Sequence, residues 1–346
     1  MLDEFQSLRA VSSRMGRNLL LIQGGGGNAS LKQGGKLHVK SSGTWMSDAL
    51  DRDIFVTLDL QCVRDLIARG SESFASAAVE DMAPDRRPSI ETALHAIMPH
   101  PIVLHVHSVN AICTSLLPDS EARLDQALSN LDWAMVPYVQ PGAELASAVG
   151  GVLKEGAPDV ILLCNHGLVV GAATAIAAEA LTEAVEALLA LPSAELSDVV
   201  PPSEPSPLSG YRWSDIAETH ALAHRPDLAA SLTCGALLPD QVVYLGGPSV
   251  WIDNAEAFTS VQHVWRAQRG VLPGFVLLGG AGALIRDDIT SGGSSMVRLL
   301  TELARRIPAG TVPSTLTLAQ EQALLGWEAE AYRLGVDTSR ESKNST

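Results

Sequence analysis

The sequence predicts an α/β three-layer (αβα) sandwich, in which a central, mostly antiparallel β-sheet is flanked by helices on both faces. Residues 30–40 form two short segments around Gln33-Gly34-Gly35, which is a hairpin signature. Apolar runs at 101–108 and 159–164 have the length and composition of buried strands. Helical segments lie between the strands, and this mixture favours helices packed on both faces of one sheet.

The remaining elements of the N-terminal half follow from periodicity, capping residues and helix breakers. An amphipathic helix is predicted at 2–19, and Ser89 is predicted to be the N-cap of a helix with Glu91 in its first turn. Residues 71–86 are small, acidic and proline-containing, so they predict a mobile surface loop. Further helices are expected at 60–69, 109–117, 143–153 and 173–191, and further strands at 53–58 and 133–139.

A run of four glycines, Gly24–Gly27, follows the first helix. The letters Gly24-x-Gly26-x-x-Ala29 match a dinucleotide-binding fingerprint, but that motif requires a helix directly afterwards and a hairpin follows here instead. A dinucleotide-binding fold is therefore disfavoured. The glycines are expected to let the backbone approach a ligand closely.

The chain is expected to consist of a first domain at 1–197, a Pro-rich linker at 198–210 and a C-terminal α/β extension at 211–346. Four prolines lie between Pro201 and Pro207, and such a segment cannot continue a helix or a central strand. In the extension we expect strands at 238–245 and 275–280 and helices at 289–307 and 318–334. The sequence shows no convincing internal repeat.

Composition limits the partners and the compartment. The chain has 24 Lys and Arg against 39 Asp and Glu, a formal net charge of −15, which disfavours binding to nucleic acid or to an anionic membrane. The longest apolar runs fall short of membrane-spanning length, and the N-terminus is acidic, unlike a signal peptide. We therefore expect a cytoplasmic protein.

Two histidines two residues apart stand out inside the apolar run at 101–108. Side chains alternate faces along a strand, so His105 and His107 project to the same side with Cα atoms about 6.5–7 Å apart. A third histidine, His166, ends the next buried apolar run, and Glu91 supplies a carboxylate upstream. Three histidines and a carboxylate suffice for an open metal site, although histidines hydrogen-bonded within the core would show the same local pattern.

Taken in order, five motifs resemble the class II aldolase/adducin family. They are Gly27-Asn28-Ala29-Ser30, Ser42-Gly43, Ser89-Ile90-Glu91, His105-Val106-His107 and Asn165-His166-Gly167. The amino-acid sequences of segments 88–92, 138–142 and 327–333 are similar to the aldolase part of bifunctional rhamnulose-1-phosphate aldolase/dehydrogenase proteins.

The resemblance implies a role for each matched residue. His105, His107 and His166 would bind a divalent metal ion, most commonly Zn²⁺, and Glu91 would be the catalytic acid/base. That role requires that burial lifts the pKa of Glu91 toward neutrality, or that the pKa is lowered less than the cation would demand. Asn28, Ser42, Gly43 and Ser89 would bind the substrate phosphate through neutral donors. Some phosphate-handling relatives have a second serine where this chain has Ile90, so a sugar acid stays an alternative to a sugar phosphate.

The resemblance further implies a metal-dependent lyase that cleaves a ketose 1-phosphate, or a related sugar, to dihydroxyacetone phosphate and an aldehyde. An epimerase, a dehydratase or a decarboxylase would use the same three histidines, and they remain alternatives. A non-enzymatic, adducin-like interaction module is disfavoured because it needs no carboxylate beside three imidazoles. A homo-oligomer, specifically a tetramer, is expected.

Overall fold

The computed structural model describes residues 3–79 and 86–344, and side chains as far as residue 340. Part of the loop expected at 71–86 therefore lies outside the described residues. The chain divides into two compact units. The first is built from Met1–Ser115 and Glu121–Ala190, and the second from Leu116–Ser120 and Leu191–Thr346.

The first unit contains seven strands and seven helices within its described residues. The strands are β1 (Asn28–Gln33), β2 (Lys36–Lys40), β3 (Phe55–Asp59), β4 (Ile102–Val106), β5 (Trp133–Val136), β6 (Val160–Leu163) and β7 (Gly167–Ala172). The helices are α1 (Glu4–Gly16), α2 (Leu60–Ala68), α3 (Thr92–Ile97), α4 (Val109–Leu116), α5 (Ser120–Ala127), α6 (Ala143–Val152) and α7 (Ala175–Leu188). Short 3₁₀ turns lie at Met46–Asp48 and Ala75–Ala77.

These strands form one sheet in the order β3-β2-β1-β4-β7-β6-β5. Neighbouring strands are antiparallel except β5 and β6, which are parallel. One apolar core joins α1, α5 and α7 to one face, and a second core joins α2, α3 and α6 to the other. The predicted αβα sandwich with a mostly antiparallel sheet is confirmed.

Strand β4 is buried on both faces, and its side chains alternate between the two cores. Ile102, Leu104 and Val106 belong to the core with α1 and α7, whereas Val103 belongs to the core with α3. His105 shares the face of Val103 because their spacing is two residues. The histidine therefore lies on the same side of the sheet as the segment that carries Glu91.

The hairpin prediction is confirmed, but the helix predicted from Ser89 begins later. Gln33 pairs with Lys36 around Gly34 and Gly35, and both glycines have positive φ (57° and 76°), a conformation that glycine adopts without a Cβ penalty. Helix α3 begins at Thr92, with Glu91 at the N-cap position. The Ser89 hydroxyl instead accepts the backbone N–H of Glu91 at 3.2 Å, within the preceding turn.

The described part of the second unit contains four strands and seven helices. The strands are β8 (Tyr211–Trp213), β9 (Val250–Ile252), β10 (Phe275–Leu278) and β11 (Gly282–Arg286). The helices are α8 (Ala217–Leu222), α9 (Pro226–Thr233), α10 (Pro239–Leu245), α11 (Phe258–Arg269), α12 (Ser291–Arg306), α13 (Leu318–Leu325) and α14 (Glu328–Asn344). The sheet order is β8-β11-β10-β9.

One predicted strand of the extension is wrong. Residues 238–245 form helix α10, with Pro239 at the start, where proline is favoured because the first helical N–H needs no partner. All residues of α10 are buried, so its apolar run shows no alternation that separates a helix from a strand. The strand expected at 275–280 is confirmed as β10, and the helix expected at 289–307 as α12. The helix expected at 318–334 is divided into α13 and α14.

Candidate metal centre

Three imidazole rings converge beside the end of β4. The ring centroids of His105, His107 and His166 lie 4.8–5.3 Å apart. One nitrogen from each ring can be chosen so that all three lie within 4.8 Å of one another. The side chains are buried, with exposed fractions of 0%, 3% and 6%. This cluster of buried nitrogen ligands is the one group of its kind among the described residues.

The ring of His105 is oriented by a backbone carbonyl. Its Nδ1 lies 3.1 Å from the carbonyl oxygen of Leu168 on the neighbouring strand β7. A carbonyl oxygen can only accept, so we assign the ring proton to Nδ1, which leaves a lone pair on Nε2. Metal-ligating histidines are commonly fixed in this way by a hydrogen bond from the other nitrogen.

His166 is placed by a tight turn between β6 and β7. Its backbone N–H donates to the carbonyl of Leu163 at 3.1 Å, and Asn165 before it has φ of 57°, in the left-handed region. A Cβ on Gly167 would lie 2.3 Å from the carbonyl oxygen of Val106 and 3.3 Å from Cε1 of His105. Glycine is therefore required at 167, because β7 packs directly against the end of β4 there.

The glycine-rich segment packs against His107. A Cβ on Gly26 would lie 2.8 Å from Nδ1 of His107. Nε2 of Gln23 donates to the backbone carbonyl of His107 at 3.3 Å. Gly26 thus lies close to the His107 ring, and the expected close approach of the glycines to a ligand stays a prediction.

Glu91 lies against two of the imidazoles. Its Oε1 is 3.1 Å from Nε2 of His105 and 3.4 Å from Nε2 of His166. Burial raises the pKa of Glu91, but the electrostatic influence of the neighbouring rings of His105, His166 and His107 outweighs burial and holds the pKa well below its usual range. The pKa of Glu91 is therefore lowered rather than lifted toward neutrality, which favours the carboxylate form of this group.

Two of the four predicted phosphate-binding residues, Asn28 and Ser89, contact Glu91, and the Ser42–Gly43 turn contacts the segment that precedes Ser89. Asn28 is the Cα partner of His105 across β1 and β4, and its Nδ2 donates to Oε2 of Glu91 at 3.4 Å. The Ser89 hydroxyl accepts the Glu91 N–H. The Ser42–Gly43 turn follows β2, and the Ser42 N–H donates to the carbonyl of Arg87 at 2.9 Å, two residues before Ser89.

The three imidazoles fit a divalent metal ion. Nitrogen donors of this number, buried and converging, are typical of zinc centres that keep a further position open. The neighbouring carboxylate and the oriented Nδ1 of His105 match the surroundings of such centres. The donor set alone does not distinguish zinc from other first-row divalent ions that imidazole binds.

Two features of the site were not predicted from the sequence. Lys40 is 2% exposed, and its Nζ donates to the carbonyls of Gly25 and Thr44 at 3.1 and 2.8 Å, tying the glycine-rich segment to the Ser42–Gly43 loop. The left-handed Asn165 is the other. Asparagine tolerates that conformation, so an Asn followed by His-Gly between two apolar strands was the available signal.

A buried triad of imidazoles beside a carboxylate, on one face of an αβα sandwich, is a site that can hold a divalent metal ion. The chain belongs to the class II aldolase and adducin family, because residues 6–191 match the class II aldolase and adducin N-terminal domain. Family and site together support an aldolase-like enzyme. Among the described residues, every helix is too short or too polar to cross a membrane.

The chain is similar to several known proteins. It is 29% identical over 175 residues to the uncharacterized oxidoreductase YuxG of Bacillus subtilis, a match covering 46% of this chain and 25% of that protein. It thus spans about a quarter of that relative's length.

Two solved structures are also similar to part of the chain. The N-terminal class II aldolase domain of a conserved Thermoplasma acidophilum protein is 22% identical, with 55% of this chain and 93% of that chain covered and a TM-score of 0.48. The L-fuculose-1-phosphate aldolase of Thermus thermophilus is 16% identical, with 54% and 90% covered and a TM-score of 0.37.

Proposed function

We propose that the chain is a zinc-dependent class II aldolase that cleaves a ketose 1-phosphate to dihydroxyacetone phosphate and an aldehyde. The observation that carries this proposal is the position of Glu91. Its carboxylate lies 3.1 and 3.4 Å from two imidazoles of the triad, as a proton-transferring group beside a metal centre must. A module that only binds partners has no need for this arrangement.

The reaction requires two proton movements. Cleavage of the bond between C3 and C4 of the ketose removes the proton of the C4 hydroxyl and leaves an aldehyde, while C3 takes up a proton to complete dihydroxyacetone phosphate. We assign both movements to Glu91, whose Oε2 is held by Nδ2 of Asn28: its carboxylate takes up the proton of the C4 hydroxyl and then delivers a proton to C3. A divalent ion held by His105, His107 and His166 supplies positive charge for the electrons left when the bond breaks.

The proposed phosphate subsite consists of Asn28, Ser42, Gly43 and Ser89. Neutral donors of this kind suit a chain with a net charge of −15, since oriented N–H and O–H groups bind an anion without help from the overall field. Gly43 has φ of 74°, which turns the chain after β2, and because the Ser42 N–H donates to Arg87, the proposal assigns phosphate binding by this loop to the Ser42 hydroxyl and the Gly43 N–H. A sugar acid would form fewer hydrogen bonds with the same donors.

The finer assignments belong to the same proposal. The sequences of several segments favour rhamnulose 1-phosphate as the ketose, whereas solved relatives include L-fuculose 1-phosphate aldolases.

We propose a domain at 1–197, a linker at 198–210 and an extension at 211–346. A cytoplasmic homotetramer is proposed as well, and sedimentation at micromolar concentration tests it, since a monomer alone would contradict it.

A panel of ketose 1-phosphates, assayed for dihydroxyacetone phosphate, tests the reaction. Epimers, dehydrated sugars or carbon dioxide in place of dihydroxyacetone phosphate would instead identify an epimerase, a dehydratase or a decarboxylase. Ser42→Ala tests the subsite, because it removes one donor without touching the triad. KM for the phosphorylated ketose should rise roughly tenfold, the effect of about 1.4 kcal/mol. KM for the unphosphorylated ketose should be unchanged, and an equal rise for both would contradict the phosphate assignment.

A further inference from the structure

The sheet of the second unit repeats the order and direction of four strands of the first. In the first unit the order is β4-β7-β6-β5, and in the second it is β8-β11-β10-β9. In both, the first two neighbouring pairs are antiparallel and the last is parallel. Helices occupy matching places, with α4 and α8 after the first strand, α6 and α11 between the parallel strands, and α7 and α12 after the last.

The turn that carries His166 has a hydrogen-bonded counterpart in the second unit. Leu163 pairs with Gly167 across the first turn, and Leu278 pairs with Gly282 across the second. The N–H of His166 donates to Leu163 at 3.1 Å, and that of Ala281 donates to Leu278 at 3.0 Å.

The residues flanking these turns correspond as well. The N–H of Cys164 donates to Val136, and that of Gly279 donates to Ile252, both at 2.9 Å. The residue before the equivalent of His166 is left-handed in both, with φ of 57° at Asn165 and 73° at Gly280.

The strand registers identify the residues that correspond to the other two histidines. A row across the first sheet runs Ala134, Ile161, Val169, His105. The matching row across the second sheet runs Val250, Val276, Leu284, Trp213. Trp213 therefore stands at the position of His105, and Asp215, two residues later, at that of His107.

A close contact in each unit supports this register independently. A Cβ on Gly167 would lie 3.3 Å from Cε1 of the His105 ring, and a Cβ on Gly282 would lie 3.2 Å from Cζ3 of the Trp213 ring. In both units a glycine that opens the last of the four strands thus lies against the ring at the corresponding position of the first of the four.

We infer that residues 211–306 are a second copy of the metal-carrying half of the first unit, with Trp213, Asp215 and Ala281 at the positions of His105, His107 and His166. This inference rests on the proposed function, because the three positions compared are those of the proposed metal ligands. Neither an indole nor a methyl group binds a divalent ion, and Asp215 alone provides one ligand. The repeat could not be detected in the sequence, because the residues that differ between the two copies are the histidines by which the first copy is recognised.

The proline-rich segment covers the corresponding position in the second copy. The indole Nε1 of Trp213 donates to the backbone carbonyl of Glu204 at 2.8 Å. Cγ of Pro202 would lie 3.2 Å from a Cβ on Gly282, as close as the Trp213 ring. The segment assigned as a linker thus packs on the second unit, at the residues that correspond to His105 and Gly167.

Restoring the histidines tests the inference. We expect the triple variant Trp213→His, Asp215→His, Ala281→His to bind one equivalent of Zn²⁺ more than the unchanged chain, measured by calorimetric titration and by metal content after dialysis. Because Trp213 packs against the proline-rich segment, the triple variant risks misfolding. The double variant D215H/A281H alters one exposed and one half-buried residue, leaves Trp213 in place and should add a weaker second site.

The single variants D215H and A281H are the matched controls, since one histidine does not make a chelating pair. An additional equivalent in the double variant and not in either single variant supports the repeat. A folded double variant that binds no more Zn²⁺ than the singles overturns it. The difference in bound Zn²⁺ between the double variant and the unchanged chain tests the repeat alone. If the first metal centre does not bind Zn²⁺, the stoichiometry of the unchanged chain falls, but this difference stays the same.

Discussion

The stability of the first unit should depend on pH through His95, a buried histidine on α3. His95 is 0% exposed, its Nδ1 lies 2.7 Å from the hydroxyl of Ser30, and its buried Nε2 has no hydrogen-bond partner among the described residues. Burial is the main cause that lowers the pKa of His95 from 6.5 to about 3, since a charged ring would lose its hydration there. The ring is therefore neutral in the folded protein over the ordinary pH range.

The sign and size of the effect follow from proton linkage. Between pH 6.5 and about 3 the unfolded chain binds a proton at this position that the folded protein does not, so the free energy of unfolding falls as the pH is lowered. Above pH 6.5 both states are neutral and the effect disappears. From pH 7.5 to 5.0 the loss is about 2 kcal/mol, because each pH unit below the unfolded pKa is worth about 1.4 kcal/mol.

Urea unfolding of the unchanged chain and of His95→Asn, at pH 7.5 and 5.0 with chelator present, measures this contribution. Asparagine keeps a polar group near Ser30 but cannot take up a proton. The variant should lose about 2 kcal/mol less than the unchanged chain between the two pH values, whatever its stability at pH 7.5. An equal loss in both proteins would refute the assignment of His95 as a buried neutral histidine.

Two further substitutions test the packing of each unit. Gly167→Ala places a Cβ 2.3 Å from the carbonyl oxygen of Val106, so it should lower the free energy of unfolding of the first unit by roughly 1–3 kcal/mol and weaken metal binding. The control is Gly151→Ala, whose added Cβ has nothing within 4 Å. It should change the free energy of unfolding by less than about 1 kcal/mol. Arg333→Ala removes the buried partner of Asp240, at 2.7 and 2.8 Å, and should cost about 3–5 kcal/mol in thermal or urea unfolding. Arg225→Ala breaks a similar but exposed pair with Asp227 and should cost less than about 1 kcal/mol, so equal losses would contradict the role of burial.

Much of the first unit could be predicted because its signals are local. The alternation along β4 places His105 and His107 on one side without any knowledge of distant contacts. The glycines of the first hairpin likewise determine their own turn. For β4 and the first hairpin the prediction and the structure agree, whereas the local capping signal at Ser89 was wrong because its hydroxyl closes the turn before α3.

The features that could not be predicted depend on partners far along the chain. Asn28 contacts Glu91, which is 63 residues away, and the pKa of that carboxylate depends on rings contributed by β4 and by the turn after β6. Helix α10 is buried on all sides by tertiary packing, which removes the periodicity that would identify it. The repeated half is visible in strand registers and not in residue identities.

Proton exchange at dihydroxyacetone phosphate tests the central claim most directly, because it isolates the proton transfer assigned to Glu91 and requires no knowledge of the aldehyde. In D₂O the metal-loaded chain should catalyse deuterium incorporation at C3 of dihydroxyacetone phosphate, followed by NMR. Glu91→Gln is nearly isosteric and leaves the three imidazoles in place, so it should retain the metal and slow exchange by roughly 10²- to 10⁴-fold, the usual contribution of a positioned acid or base. A metal-loaded Glu91→Gln variant that exchanges as fast as the unchanged chain would contradict the account.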